Sequence, residues 1–430
     1  MTPASTLLKL TLVLALAPVC GAGAADFFGT PSPAPAPLAS QRPAPALENT
    51  SELGRDSGDR FRDVPGEGAL LTGFLIHPGT HDGNPTIGAV QPVFLGPKGR
   101  VVGRTYGTAT EKPTTVEARR GYAVGGIAAK TGGVVDGFEI FFMRILPGGG
   151  ALDPGDFYRS EWFGGSGGDA KRYVGSDGRP VVGLCGHSGK DFNAIGLVQN
   201  APATMATARF TYLAKDDAGN YPRDWENGGN KGAGFAPWVF GCTDRTRLDA
   251  GFGIGTSTGN GEDKPSGGID AAGRAWMMRT TEKHEASATR AFAGGPLKPG
   301  QQFCIRMDNG NLEHQQFAGF ILQNSAGANR VEFSFEGYNG PYRIKVGDTE
   351  DSAGVEWTTD GLQIVFTQFA GNRGILDVRA SGGRFVMIPV TLAASDIAQV
   401  KLYCRGPGKG PSCEVFWNSL AIRQPTTAAP

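Results

Sequence analysis

The sequence predicts an all-β protein with two modules. Between residues 61 and 200, short apolar runs alternate with turns rich in Gly, Asp and Asn, and runs of this length are typical of strands. Between residues 208 and 423 the runs are longer, and residues 331–336 alternate apolar and polar side chains like a half-buried antiparallel strand. Glycine accounts for 67 of the 430 residues without a collagen period, which favours many tight turns.

The first 25 residues predict a signal peptide. Lys9 precedes an apolar stretch over residues 10–19, and residues 22–24 are the small residues that a signal peptidase requires. Residues 26–60 follow as a linker rich in proline and alanine, because proline interrupts both strand ladders and helices. We therefore expect a secreted protein, located in the periplasm, outside the cell or on its surface, that ends in a short tail over residues 424–430.

Charge excludes two classes of partner. Lys and Arg together number 41, as do Asp and Glu, so the formal net charge is zero. A neutral chain lacks the electrostatic attraction that basic proteins have for nucleic acids and anionic membrane surfaces. After the predicted signal peptide, no segment stays apolar over the ~20 residues that a spanning helix needs. We expect neither a nucleic-acid partner nor membrane insertion.

A repeated segment is the most informative feature of the first module. Residues 124–141 and 181–198 both consist of an apolar strand, a turn of small residues and a second apolar strand. Gly132 of the first copy matches Gly189 of the second, and Asp136 matches Asn193. This repetition predicts a domain built from copies of one hairpin, with a glycine-rich loop in each copy.

Several segments around the repeat carry a family resemblance. Trp162-Phe-Gly-Gly-Ser-Gly-Gly168 resembles the paired-glycine opening of the jacalin-like lectins, residues 180–197 resemble their closing strand pair, and residues 99–107 are a looser match to their middle hairpin. The resemblance implies a β-prism of three sheets over residues 61–200, and sugar binding at a Gly-x-x-x-Asp loop. The paired glycines fall between the two repeats here, so the chain resembles a permuted or divergent member.

The resemblance implies two carbohydrate sites, one in each repeat, with an amide replacing the carboxylate in the second. A carboxylate accepts hydrogen bonds from vicinal hydroxyls, and the unshielded N–H groups of a glycine turn donate to sugar oxygens. The alternative is that the glycines only form the hairpin turn, which Asp136 and Asn193 would then cap. The candidate carbohydrate-binding residues are Gly132, Gly133, Val134, Val135, Asp136, Gly189, Lys190, Asp191 and Asn193.

The second module has its own recognisable segments, which are Trp225-Glu-Asn-Gly-Gly-Asn230 and residues 232–238, 251–257, 300–303 and 307–310. They resemble a concanavalin-like module of secreted bacterial proteins. The resemblance implies a two-sheet antiparallel β-sandwich (jelly roll) over residues 208–423, which agrees with regular strands separated by turns. Such a module accompanies carbohydrate-active or surface proteins and implies no mapped site.

The cysteines are compatible with export, which permits disulfides. Cys404 and Cys413 flank a turn of glycine and proline, which predicts a bridge between them, and Cys242 with Cys304 is a second candidate pair. Cys185 replaces Ala128 of the first repeat, so we interpret it as a small buried hydrophobe. None of the spacings is that of a zinc site.

Metal and cofactor sites have little support in the sequence. His77 and His81 are separated by proline and glycine, which favours an ordinary turn over a metal site. Asp216, Asp217 and Asn220 offer oxygen atoms to calcium, but their spacing differs from that of an EF-hand. We expect no cofactor, with calcium at this loop as the one exception.

Exposed aromatic rings would matter for a glycan-binding protein, because they stack on the apolar faces of sugars. Trp276 and Trp417 lie inside apolar runs, which predicts that they are core residues. Trp225 and Trp238 lie in glycine-rich sequence, which predicts that they are exposed.

An enzyme would need catalytic side chains in a recognisable arrangement. Glu332 and Glu336 face the same side of a predicted strand, as the carboxylates of sandwich glycosidases do, but the Phe-Ser-Phe between them matches no catalytic strand. No nucleophile elbow, phosphate loop or metalloprotease helix occurs. The sequence predicts an exported, non-catalytic carbohydrate-binding protein. The alternatives are a structural or adhesion protein of the cell surface that binds no sugar and, more remotely, a glycoside hydrolase.

Overall fold

A computed structural model describes residues 46–66, 68–202, 209–242, 250–257, 268–280, 284–310, 312, 314–338, 340–358, 361–380, 385–406 and 413–426. The predicted signal peptide, residues 26–45 of the predicted linker and residues 427–430 of the predicted tail lie outside the described residues. Pro45–Pro430 forms one compact unit, so its two modules are described together.

The described residues are almost entirely β-structure, which confirms the predicted fold class. In the first module the strands are β1 (Leu47–Asn49), β2 (Leu53–Gly54), β3 (Asp59–Asp63), β4 (Leu70–His81), β5 (Asn84–Gly96), β6 (Gly99–Val102), β7 (Tyr106–Gly107), β8 (Thr114–Glu117), β9 (Tyr122–Thr131), β10 (Val135–Ile145), β11 (Leu152–Arg159), β12 (Phe163–Gly164), β13 (Arg172–Gly175), β14 (Val181–Ser188) and β15 (Phe192–Asn200).

These strands form three five-stranded sheets that repeat one design. Each sheet is built on a long antiparallel hairpin, which is β4–β5, β9–β10 or β14–β15. The first strand of each hairpin pairs with one further strand (β8, β13 or β3), and the second strand pairs with two (β6 and β7, β11 and β12, or β1 and β2). The module therefore contains three copies of the hairpin unit, arranged as a β-prism, where the sequence had shown two.

The third copy is completed by residues that the sequence had assigned to a linker. Strands β1, β2 and β3 lie at residues 47–63 and pair with β14 and β15 of the last hairpin. The predicted linker over residues 26–60 is therefore wrong from residue 47 onwards. The reason is physical: such edge strands are short and take their order from pairing with distant strands, so their own sequence shows little apolar alternation.

The prism core takes equivalent residues from all three sheets. Phe74, Ile127 and Leu184 occupy matching positions on β4, β9 and β14, and all three are fully buried. Phe74 also meets the ring of Phe138 edge to face, with centroids 5.8 Å apart. Burial of each such side chain contributes about 1.5–3 kcal/mol, so this shared core fixes the relative positions of the three hairpins.

The second module is a sandwich of two antiparallel sheets, as predicted. Its strands are β16 (Phe210–Asp216), β17 (Val239–Cys242), β18 (Ala250–Gly255), β19 (Ala275–Thr280), β20 (His284–Ala291), β21 (Gln302–Asn309), β22 (Phe317–Gln323), β23 (Asn329–Glu336), β24 (Arg343–Val346), β25 (Thr349–Ser352), β26 (Leu362–Gln368), β27 (Arg373–Ala380), β28 (Phe385–Thr391), β29 (Gln399–Gly406) and β30 (Cys413–Pro425), with a 3-10 turn at Ala218–Asn220.

One sheet of the sandwich has the order β18-β19-β30-β21-β26-β27-β28, with β16 also paired to β30, and the other has the order β17-β20-β29-β22-β23-β24-β25. The core between them contains Trp276 and Trp417, as predicted. Trp225 and Trp238 are also buried, so the prediction that they are exposed is wrong. Both rings pack on Trp276, because the glycine-rich segment that carries them folds over the end of the core.

The two modules are joined by specific contacts. Arg373 of the sandwich pairs with Asp156 of the prism at 2.9 Å, and Lys171 of the prism pairs with Asp351 at 2.6 Å. A Cβ atom on Gly155 would lie 2.5 Å from the ring of Phe369, so the modules approach closely here and only glycine fits.

The described cysteines are all free thiols, and the predicted bridges are not formed. Cys404 and Cys413 lie in opposite sheets, and their thiols contact each other without forming a bond. The Cys404 thiol also lies 4.0 Å from the carbonyl oxygen of Cys413, and the Cys413 thiol lies 3.8 Å from that of Phe317. Cys242 and Cys304 also lie in opposite sheets. Cys185 is fully buried as predicted, and this burial raises the pKa of its thiol to about 12.

Candidate functional site

The same backbone irregularity occurs in all three prism hairpins. The pairing register shifts at one position near the end of each hairpin, so that a single residue is left bulged: Gly88, Asp136 or Asn193. A bulge removes a residue from the ladder and turns its side chain away from the sheet. The three copies thus present no side chain, a carboxyl group and an amide, respectively.

A second segment braces each bulge in the same way. Gly107, Gly164 and Gly54 each have a positive φ, of 100°, 88° and 124°. The amide of the following residue donates to the carbonyl of the bulged residue, at 3.0 Å for Thr108, 2.8 Å for Gly165 and 3.0 Å for Arg55. The bulge and its brace therefore have the same backbone in the three copies, which differ in their side chains and in the length of the hairpin beyond the bulge.

The carboxyl group of Asp136 lies against the paired-glycine segment. Asp136 is 9% exposed. A Cβ atom on Gly167 would lie 2.8 Å from its Oδ1, and one on Gly168 would lie 2.6 Å from its Oδ2 and 2.9 Å from the amide nitrogen of Thr131. Residues 167 and 168 must therefore be glycine for the carboxyl group to occupy this position.

The environment of Asp136 shifts the pKa of its carboxyl group upward. Burial raises this pKa, while a backbone hydrogen bond from Gly132 and the charge of His81 lower it. The protein environment therefore stabilises the charged form less well than water does.

His81 lies between the loop of Gly132–Asp136 and the loop of Gly189–Asn193. It ends strand β4, where the sequence had predicted a turn, and a Cβ atom on Gly133 would lie 3.4 Å from its Nε2. Its Nδ1 lies 3.9 Å from Oδ2 of Asp191 in the second loop. His77 is buried further along β4 and accepts a hydrogen bond from the amide of Thr110. Among the described residues, no group of three or more His, Cys, Asp or Glu side chains is arranged to hold a metal ion.

The second loop has the same backbone but a more crowded surface. The amide of Gly189 donates to the carbonyl of Asp191 at 2.9 Å, and Gly189 and Lys190 are exposed. The bracing segment is Gly54-Arg-Asp-Ser-Gly58, where the first copy has Gly164-Gly-Ser-Gly-Gly168. Two glycines of the first copy are thus replaced by Arg55 and Ser57.

Two acidic side chains contact His187 near the second loop. Nε2 of His187 lies 3.1 Å from Oε2 of Glu52 and 3.2 Å from Oδ1 of Asp56, and Lys130 is the matching residue in the first copy. Asp56 belongs to the bracing segment, so the second loop has an acidic side chain where the first copy has Ser166. The structure therefore brings all nine predicted residues to one end of the prism, in two unequal loops.

The glycines that lie against Asp136 were not among the predicted site residues. Gly167 and Gly168 carried the family resemblance but were not assigned to the site, although they contact its carboxyl group. The paired glycines were visible in the sequence, but their approach to Asp136 was not. It joins segments about 30 residues apart and depends on the pairing of β12 with β10.

The carboxylates considered for catalysis are engaged in structural contacts. Glu332 accepts a hydrogen bond from the Tyr403 hydroxyl at 2.5 Å, and the buried Glu336 pairs with Arg343 at 2.9 Å. Each carboxyl group thus already has a protein partner.

The loop considered for calcium is likewise engaged in structural contacts. The carboxylate of Asp216 is fully buried, pairs with Arg290 and accepts from the Tyr221 hydroxyl at 2.7 Å and from Asn220 at 2.9 Å. A guanidinium group beside this carboxylate would repel a bound cation. Asp216 therefore holds the end of the sandwich together.

No protein-family model matches the chain, and no curated protein matches it significantly. Within the described residues, no helix is long and apolar enough to cross a membrane. Solved structures do match. The Malaysian banana lectin is 14% identical with a TM-score of 0.28, and the match covers 37% of this chain and 100% of that one.

Two further solved structures match to a similar extent. A mannose-binding jacalin-related lectin from Ananas comosus is 18% identical with a TM-score of 0.28, over 36% of this chain and 99% of that one. A mannose-specific jacalin-related lectin from Morus nigra, solved with mannose, is 16% identical with a TM-score of 0.28, over 38% and 99%. All three of these solved structures are described as lectins, two of them as jacalin-related lectins.

Proposed function

We propose that this protein is an exported, non-catalytic carbohydrate-binding protein and that its primary site is the loop from Gly132 to Asp136. The observation that carries the proposal is the bulged, buried carboxyl group of Asp136, which lies against backbone that is bare of side chains at Gly132, Gly167 and Gly168.

The chemistry of this site suits vicinal hydroxyl groups. A carboxylate accepts from two hydroxyls at once, and charge-assisted hydrogen bonds of this kind are shorter and stronger than neutral ones. Burial keeps competing water away from Asp136, so a ligand that supplies donors relieves an unfavourable environment. Bare glycine backbone lets a sugar ring approach without steric conflict.

The other two copies are weaker candidates. Asn193 offers a neutral amide in place of a carboxylate, and Arg55 and Ser57 stand where the first copy has glycine. Gly88 presents no side chain at all. We therefore assign the main affinity to Asp136 and a minor contribution or none to Asn193.

A glycan array tests this function. We expect the mature protein, residues 26–430, to bind a defined set of neutral sugars, with mannose included because two structural neighbours are described as binding it. Asp136→Ala should lower the affinity at least about a hundredfold, since it removes a charged acceptor with several ligand contacts. Asn193→Ala is the matched control and should change binding little.

The result can also reject the proposal. A wild-type protein that is folded by circular dichroism and binds no glycan would leave the surface-adhesion alternative. Equal loss of binding in Asp136→Ala and Asn193→Ala would reject the assignment to the first loop. The export part of the proposal is tested separately, by sequencing the N-terminus of the protein recovered outside the cytoplasm.

A further inference from the structure

A cavity of about 750 Å³ lies between the prism and the sandwich. Its prism wall is formed by residues 48–53 and 172–175 with Asp177, Arg179 and Gln199, and its sandwich wall by residues 354–358 and 385–387 with Ala380. Small-molecule sites typically have volumes of roughly 300–1,000 Å³, so this cavity is large enough for a ligand. It includes residues from both modules, and none of them belongs to the predicted carbohydrate site.

The sandwich wall presents two exposed aromatic rings. Trp357 is 56% exposed and Phe385 is 48% exposed, and both line the cavity. The other tryptophans of the described chain are buried or half-buried. Large exposed rings that face a concave surface are typical of binding sites, and flat rings stack on the apolar faces of sugars.

The prism wall presents polar groups in a fixed arrangement. Arg179 donates to Asp177 at 2.6 Å, to Glu48 at 2.7 Å and to Gln199 at 3.1 Å. Such a network holds its members in defined orientations, which lowers the entropy lost when a ligand binds. The aromatic wall suits the apolar faces of a sugar chain, and the hydrogen-bonding wall suits its hydroxyl groups.

Charge restricts the kind of sugar. The cavity is lined by four carboxylates, Glu48, Glu52, Asp177 and Glu356, and by two guanidinium groups, Arg172 and Arg179. A lining with an excess of negative charge repels uronic acids and sulfated sugars. The class of ligand that fits is therefore a neutral oligosaccharide.

Arg172 connects the cavity to the Asp136 loop. It lines the cavity, and its Nη2 donates to Oγ1 of Thr131 at 3.0 Å. Thr131 directly precedes Gly132, and its carbonyl accepts from the amide of Asp169, which follows the paired glycines. Arg172 has no carboxylate within ion-pair distance among the described residues, so its remaining N–H groups can bind hydroxyls.

We propose that the cavity is an extended subsite for a neutral oligosaccharide, whose terminal sugar lies at Asp136 and whose following units pass Arg172 and stack on Trp357. This inference rests on the proposed function. It makes the protein selective for chain length, because only an oligosaccharide reaches both the loop and the cavity. It also gives the sandwich module a direct part in binding.

The test is a length series of neutral glycans, from one to six sugar units of the mannose, glucose, galactose and N-acetylglucosamine types, titrated by calorimetry. We expect affinity for the preferred sugar to rise roughly tenfold or more between the monosaccharide and the tetrasaccharide. Trp357→Ala should abolish that rise and leave monosaccharide affinity unchanged. Tyr338→Ala, which removes an aromatic side chain that is 77% exposed outside the cavity lining, is the control and should behave like the wild type.

The outcomes separate the two proposals. If monosaccharide and oligosaccharide bind equally well, or if Trp357→Ala keeps the length dependence, the extended subsite is overturned and the Asp136 site stands. If no neutral glycan of any length binds, the proposed function itself fails. Tighter binding of polygalacturonate than of the neutral series would also overturn the subsite, because the acidic lining predicts the opposite order.

Discussion

The loops around Asp136 and Asn193 have nearly the same backbone and different chemistry. Both are bulged at the same register position, and both are braced by a glycine of positive φ. The first has a carboxyl group against bare glycine backbone, and the second has an amide and a bracing segment that contains Arg55, Asp56 and Ser57. Under the proposed function, the fold supplies the position of a site, and a few side chains on two separate segments supply its affinity.

The third copy extends this comparison. Gly88 occupies the bulge there, and the hairpin of β4 and β5 runs beyond it to His81 and Asn84. The extra length brings His81 next to Gly133 and Asp191, so the copy without a side chain at its own bulge contributes to its neighbours. The β9–β10 hairpin thus carries a carboxyl group at its bulge and the β14–β15 hairpin carries an amide. The β4–β5 hairpin instead extends past its bulge to His81.

The largest effect is expected from Gly168→Ala, which tests whether bare backbone defines the first loop. The new Cβ atom would lie 2.6 Å from Oδ2 of Asp136 and 2.9 Å from the amide nitrogen of Thr131, at a φ of 81°. We expect glycan binding to be lost and stability to fall by roughly 2–4 kcal/mol, because steric conflict adds to backbone strain.

Gly121→Ala is the matched control for Gly168→Ala. Its φ is 84°, but no atom lies within 4 Å of the added Cβ, so it tests the strain alone. It should cost about 1–2 kcal/mol in chemical denaturation and keep full binding. Comparable binding losses in both variants would show that strain, and not contact with Asp136, controls the site.

A smaller effect is expected from Asp136→Asn, which turns the first loop into a copy of the second. The amide accepts fewer hydrogen bonds and carries no charge, so affinity should fall roughly tenfold to a hundredfold. Binding by the wild type should also weaken as pH falls through the raised pKa of Asp136, while the variant should show no such dependence.

The free energy of unfolding should fall as pH rises through the pKa of Asp136, whereas glycan binding should strengthen. Because burial raises the pKa of Asp136 in the folded protein, the unfolded chain releases this proton more readily as pH rises. The carboxyl group therefore lowers stability above its raised pKa and has no effect below its ordinary value. Urea denaturation should show Asp136→Asn as the more stable protein at neutral pH, with the difference disappearing in acid. A more stable wild type at neutral pH would contradict the description of this carboxyl group.

Local sequence was sufficient for two of the three repeated hairpins of the prism and for the loop of Asp136. Both depend on nearby residues, namely apolar runs, glycine turns and a repeated spacing. It was insufficient for β1–β3, whose order comes from pairing with β14 and β15, and for Gly167 and Gly168, which reach Asp136 only because β12 pairs with β10. Contacts between distant segments leave little periodicity in either partner.

The tryptophans show the same limit. Trp225 and Trp238 lie in glycine-rich sequence yet are buried, and Trp357 is the largely exposed one. Composition around a residue reports on local turns, whereas burial depends on which distant strands cover it. Trp276 and Trp417 were predictable because each lies inside a strand of the core.

The smallest and most informative effect is expected from adding a carboxylate to the second loop. Asn193→Asp alone should raise glycan affinity at that loop only a fewfold, because Arg55 and Ser57 still stand where the first copy has glycine. The triple variant Asn193→Asp, Arg55→Gly, Ser57→Gly restores the pattern of the first copy. Measured in an Asp136→Ala background, it should recover binding to within about tenfold of the wild type. If the single change recovers as much as the triple one, the bracing segment does not control affinity, and the difference between the two loops reduces to one carboxyl group.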